Sequence, residues 1–107
     1  MPDLVVTPRA ETRPRTARPP LHRVLLLNDD YTPRAFVVSV LRAVFRLSAD
    51  QARRVMTVAH TRGTCVVAVY TRDVAETKAA QGTEMGRREG YPLTFMTEPE
   101  PTEDDGA

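Results

Sequence analysis

The fold of this 107-residue chain turns on one stretch, Leu25-Leu26-Leu27-Asn28-Asp29-Asp30-Tyr31-Thr32-Pro33. Val24, Leu25, Leu26 and Leu27 form a short, uninterrupted apolar run. Such a run predicts a central strand, about His22 to Leu27, rather than one with alternating wet and dry faces. Asn28, Asp29 and Asp30 end it, because their side chains bond nearby backbone groups and tolerate unusual dihedrals. Thr32-Pro33 reads as a helix opening, with an N-cap hydroxyl followed by proline at the first helical position. A helix from Pro33 to about Phe45 follows. Phe36, Val37, Val40, Leu41 and Val44 recur along it at i, i+3 and i+4 spacing, and Val38 and Phe45 widen the stripe. A strand that opens into a helix is a rigid mount for side chains that touch a ligand. The same three polar residues also suit a turn for local reasons alone.

Downstream, Ser48-Ala49-Asp50-Gln51 is a capping box that opens a second helix, about Ala49 to Thr61. Ala52, Val55, Met56, Ala59 and His60 share one face of it, and Arg53, Arg54 and Thr57 the other, so His60 is expected on the apolar stripe. Gly63 supplies a left-handed C-terminal cap. Thr64 to Tyr70, rich in β-branched and aromatic residues, predicts the second strand. Thr71 caps a third helix whose first turns carry Asp73 and Glu76, favoured there by the helix dipole. Gly82 and Gly86 each cost about 1 kcal/mol relative to alanine inside a helix. The helix is therefore expected to reach about Ala80 and then to break up before Gly90. A last strand is expected from about Tyr91 to Thr97, with Pro92 near its start. The order β-α-α-β-α-β predicts an α+β two-layer sandwich, a three-stranded and mainly antiparallel sheet packed on three helices.

Around this core, about residues 21–98, both ends read as unstructured. Residues 1–20 interleave five prolines with Arg9, Arg13, Arg15 and Arg18, a composition that resists helix and sheet and reads as a disordered basic arm. Residues 99–107 read as an acidic disordered tail. Basic and acidic residues nearly cancel, 15 against 14, which argues against a nucleic-acid binder driven by bulk charge. The single Cys65 excludes an internal disulfide and a multi-cysteine metal site, and its apolar neighbours predict a buried thiol. No apolar run approaches the about 20 residues of a membrane span, and no secretory leader is evident, so a cytoplasmic protein is expected.

The residues Leu27 to Pro33, followed by Phe36-Val37, resemble the hallmark of the ClpS adaptors, bacterial N-end-rule (N-degron) specificity factors of the Clp protease. The resemblance continues through Met56 to His60 (a Met-x-x-x-His), Gly63, Val74-Ala75-Glu76-Thr77-Lys78 and Pro92-Leu93. It implies the βααβαβ fold shared with the C-terminal domain of the ribosomal stalk protein. It implies an adaptor and not an enzyme, with no cofactor. The expected partners are substrate proteins that begin with Leu, Phe, Tyr or Trp and the N-domain of the Clp AAA+ unfoldase. A monomer is expected, with no nucleic acid or membrane among its partners.

By that resemblance Asn28, Asp29 and His60 hold the substrate α-amino group. Leu26, Asp30, Thr32, Val37, Met56 and Leu93 shape the side-chain pocket. Asp73, Glu76, Thr77 and Lys78, with Tyr31, correspond to the face that docks on the unfoldase. Arg34 departs from the family, which usually carries a gating methionine there, and so bears on the choice of first side chain. Taken without the resemblance, Asn28 and Asp29 are turn formers, Asp30 or Thr32 a cap, His60 a histidine bonded at a helix end, and Met56 and Leu93 core. Two other readings compete. One is an interaction module on the same fold without N-terminal specificity. The other is a metal or enzyme site from Asp29, Asp30 and His60, which lacks an activated nucleophile and a phosphate-binding glycine loop.

Overall fold

The computed structural model describes residues 19–101; the expected arm through residue 18 and the acidic residues 102–107 lie outside them. Among the described residues the chain forms β1 (Leu21–Leu27), α1 (Arg34–Phe45), α2 (Ala49–Arg62), β2 (Thr64–Thr71), α3 (Arg72–Arg88) and β3 (Phe95–Pro99). The apolar run of β1 takes the centre of an antiparallel sheet ordered β2-β1-β3. Val24 and Leu26 point into the core, 0% and 3% exposed. Leu25 faces the other way, in register with Val66 and Met96, and is only half-buried. The run is therefore central because it has a neighbour on each side, not because a layer covers both faces. Between Val24 and Leu25 the register slips, so that Val67 is an extra residue on β2, a bulge whose side chain is buried.

The helices cover the inner face. Val40 and Leu41 of α1 are fully buried, and Ala52 and Ala59 of α2 and Ala75 and Ala79 of α3 let those helices lie close to the layer below. The capping box of α2 is formed as expected: Ser48 Oγ accepts from the Gln51 amide, and Gln51 accepts from the Ser48 amide. Gly63 ends α2 at φ +95°, a conformation few residues other than glycine adopt. Arg46 ends α1 in the left-handed region at φ 61°, its amide turned back to Arg42, and no glycine marks that stop.

Two expectations are corrected. The third helix does not break near Ala80 but runs 17 residues to Arg88. Its glycines face the sheet side: a Cβ on Gly82 would lie 2.6 Å from the Phe95 ring, and one on Gly86 would lie 2.7 Å from Leu93 Cβ. They are there for close approach, and packing outweighs their poor helix propensity. At the helix end Arg87 and Arg88 bond Glu84, and the Arg87 hydrogen bond and charge hold that exposed carboxyl below the usual range. The second correction is the last strand, which starts at Phe95 rather than Tyr91. Residues 91–94 are a connecting loop, tied to α3 by Tyr91 N–H to Gly86 O (2.9 Å) and to β1 by Leu27 N–H to Thr94 O (3.1 Å).

Candidate functional site

The end of β1 is held from both sides. Leu27 N–H donates to Thr94 O, and Asn28 N–H donates to Gly63 O at 2.9 Å. The turn after β1, the last turns of α2 and the loop before β3 are thereby drawn together. Between them lies a cavity of about 120 Å³. Its apolar wall is Leu26, Leu27, Val37, Met56, Ala59 and Leu93; its polar edge is Asn28, Asp29, Asp30, Thr32, Arg34 and His60. An apolar protein cavity of about 150 Å³ holds benzene, so a single large side chain matches this one in scale.

Asp29 organises the edge. Its Oδ1 accepts the amides of Tyr31 (2.8 Å) and Thr32 (2.7 Å), and its Oδ2 accepts the Thr32 hydroxyl at 2.9 Å. A carboxylate has about four acceptor positions, so this turn leaves room for roughly one more donor. Among the described residues no basic side chain pairs with Asp29. The site thus keeps a fixed acceptor with an unneutralised charge. Thr32 is buried at 8% exposed and does not cap α1 as expected. Pro33 occupies the N-cap, without a side-chain cap bond, and its carbonyl closes the first turn. The hydroxyl is spent on Asp29.

His60 is also corrected. It is exposed, at the rim of the cavity, and not on the buried stripe. Ala59 takes the buried position, 2% exposed. Asn28, Asp30 and Arg34 are exposed at the same mouth. All ten residues expected at the amino group or the pocket border this cavity. Leu27 and Ala59 border it too without having been foreseen; both lay in apolar patterns that read only as core.

The expected docking residues are elsewhere. Asp73, Glu76 and Thr77 are exposed on α3 beside Val74, which is 42% exposed. Lys78 is half-buried: its ammonium donates to Val44 O at 2.8 Å, at the end of α1, and stands 5.7 Å over the Tyr70 ring. Tyr31, 80% exposed, follows the carboxylates at the end of β1. Cys65 is half-buried rather than buried; that burial pushes its thiol up, with the Arg62 charge opposing, so thiolate chemistry is disfavoured. Among the described residues no group of three or more His, Cys, Asp or Glu could hold a metal, and no helix is long and apolar enough to cross a membrane.

Comparison with known proteins agrees with this architecture. The family model of the ATP-dependent Clp protease adaptor protein ClpS matches residues 17–96. The chain is 58% identical to the ATP-dependent Clp protease adapter protein ClpS 2 of Mesorhizobium japonicum over 94% of its own length and 99% of that protein's. It is 53% identical to ClpS of Deinococcus radiodurans over 82% of this chain and 78% of the relative. A solved structure of Agrobacterium tumefaciens ClpS2 bound to L-phenylalaninamide is similar with a TM-score of 0.76 and 60% identity, covering 78% of this chain and 100% of that one. With the family pattern matched across its whole core, the chain belongs to the ClpS family, whose members are adaptors of the Clp protease and not catalysts.

Proposed function

We propose that this adaptor binds the free N-terminus of proteins that begin with Leu, Phe, Tyr or Trp and delivers them to the Clp AAA+ unfoldase in the cytoplasm. The observation that carries the reading is a cavity sized for one side chain, with an apolar wall and a polar edge that includes an acceptor fixed by three hydrogen bonds. The relative solved with L-phenylalaninamide supports it, since that ligand joins a free amino group to an aromatic side chain.

In this reading the substrate α-ammonium donates to the Asn28 carboxamide oxygen, the Asp29 carboxylate and a ring nitrogen of His60. The first side chain enters the cavity between Leu26, Val37, Met56 and Leu93, with Asp30, Thr32 and Arg34 at its edge. Hydrogen bonds to a charged group contribute about 1.5–3 kcal/mol each. Burial of a Leu or Phe side chain contributes about 1.5–3 kcal/mol. Less the cost of association, the sum is nearer a micromolar than a picomolar complex, weak enough to release cargo. Arg34 lies at the mouth, where its stem covers apolar surface and its head reaches water. It narrows or repolarises the entrance and shifts preference away from leucine toward aromatic first residues; equal preferences before and after Arg34→Met would refute this. The chain acts as a monomer and docks on the unfoldase N-domain through Asp73, Glu76, Thr77 and Lys78.

The deciding experiment is a titration with peptides that differ only at the start: Phe, Leu, Ala and acetyl-Phe. Phe and Leu peptides should bind, and Ala and acetylated peptides should not. Equal binding of Phe and Ala peptides would instead favour an interaction module without N-terminal specificity.

A further inference from the structure

We infer that Gly86 is a positioning residue that sets how large a first side chain the cavity admits; this rests on the reading that the cavity receives that side chain. Leu93 is 2% exposed and forms part of the cavity wall, and its near neighbour on the α3 side is Gly86. A Cβ on Gly86 would meet Leu93 Cβ at 2.7 Å, Cδ2 at 3.4 Å and Cγ at 3.5 Å. The nearest of these atoms is fixed to the backbone, so no change of rotamer relieves the contact and the loop itself must shift.

That loop is pinned at both ends, by Tyr91 N–H on Gly86 O and by Leu27 N–H on Thr94 O. No α3 residue borders the cavity, so Leu93 stands between α3 and the space inside. Movement away from α3 carries Leu93 into that space. A close-packed wall responds to a single added methyl group. Gly82 provides an internal control on the same helix. Its Cβ would meet the Phe95 ring at 2.6 Å, but Phe95 packs on Phe45 and does not border the cavity.

The test compares affinities for Trp-, Phe- and Leu-started peptides across the unaltered chain, Gly86→Ala, Gly82→Ala, Leu93→Ala and the double variant Gly86→Ala with Leu93→Ala. One methylene in an apolar pocket changes discrimination by about 10–200-fold. Gly86→Ala should therefore lower the preference for Phe over Leu by about tenfold and the preference for Trp over Leu by more. Gly82→Ala should melt earlier yet keep both preferences. In the Leu93→Ala background the Cβ contact and the loop shift remain but most of the displaced side chain is gone, so Gly86→Ala should change both preferences much less. Preferences that stay unchanged or rise in Gly86→Ala overturn the inference. So does an equal shift in Gly82→Ala, or a Gly86→Ala effect that is undiminished in the Leu93→Ala background. An unaltered chain that does not distinguish Phe from Ala peptides overturns the proposed function and the inference with it, whereas a selective unaltered chain with an unresponsive Gly86→Ala overturns the inference alone.

Discussion

Asp29 performs two tasks that a substitution can separate. Its carboxylate closes the turn after β1 through Tyr31 and Thr32, and it leaves a charge facing the mouth of the cavity. Asp29→Asn keeps an oxygen for the two amides and an amide donor for the Thr32 hydroxyl, so the turn survives while the charge is lost. Binding of a Phe-started peptide should weaken by about 1.5–3 kcal/mol, with the melting temperature nearly unchanged. Asp29→Ala should lose both binding and stability, because the Thr32 amide beneath it is left without its partner. Paired peptide titration and thermal melts check the separation. His60→Ala removes an exposed ring, so it should reduce peptide affinity with little effect on the melt. Thr32 illustrates the limit of sequence at this scale. A threonine before proline suits a helix cap and an Asx-turn partner equally, and only the direction of the hydroxyl distinguishes them.

Among the elements, α3 departs most from its sequence pattern. Its two internal glycines argue for an early stop, yet both lie under residues of the strand side, so helix and sheet approach more closely than any side chain would permit. Gly82→Ala gains about 1 kcal/mol of helix propensity. It loses about 1–3 kcal/mol to overpacking against Phe95. The net expectation is a lower melting temperature, contrary to what propensity alone predicts. Lys78 is the other element-scale finding. Its ammonium caps the end of α1 through Val44 O and lies over Tyr70, so it joins two helices and a strand. Lys78→Met should cost about 1.5–3 kcal/mol of stability by removing a charged hydrogen bond, as read by chemical denaturation. A docking defect in that variant would not by itself place Lys78 in the unfoldase contact. Thr77, exposed one residue earlier, is the cleaner probe.

Across the whole molecule the two proposed surfaces separate along β1. Asn28 and Asp29 follow its last residue, whereas Leu21, its first, pairs with Thr71, two residues before Asp73. Tyr31 therefore belongs to the cavity end and Asp73 to the opposite end, and one docking surface that included both would span the length of the sheet. Separate surfaces allow cargo and unfoldase to be held together. Thr77→Arg should abolish unfoldase association and leave peptide affinity unchanged; Asp29→Asn should weaken peptide binding and leave unfoldase association unchanged. Fluorescence anisotropy with each partner checks both. The pH dependence of cargo binding follows from the ligand. A free α-amino group titrates near about 7.7–8.0, and only its protonated form carries the charge and three donors. Affinity for a Phe-started peptide should fall about tenfold per pH unit above that range.

The order and type of the elements, the central place of β1, the capping box of α2 and the glycine stop at Gly63 were all legible in the chain. Each depends on residues within a turn or two of one another, where propensity, capping and periodicity act. The tertiary structure alone decided the length of α3, the partner of the Thr32 hydroxyl, the exposure of His60 and the engagement of Lys78 with Val44. Each of these depends on an atom brought close by the fold rather than by the chain: Phe95 and Leu93 over the two glycines, Asp29 turned beneath Thr32, Ala59 taking the buried position beside His60, and the end of α1 over α3. The cavity itself belongs to this second group. Its walls come from β1, α1, α2 and the loop before β3, and no local pattern encodes the space that remains between them.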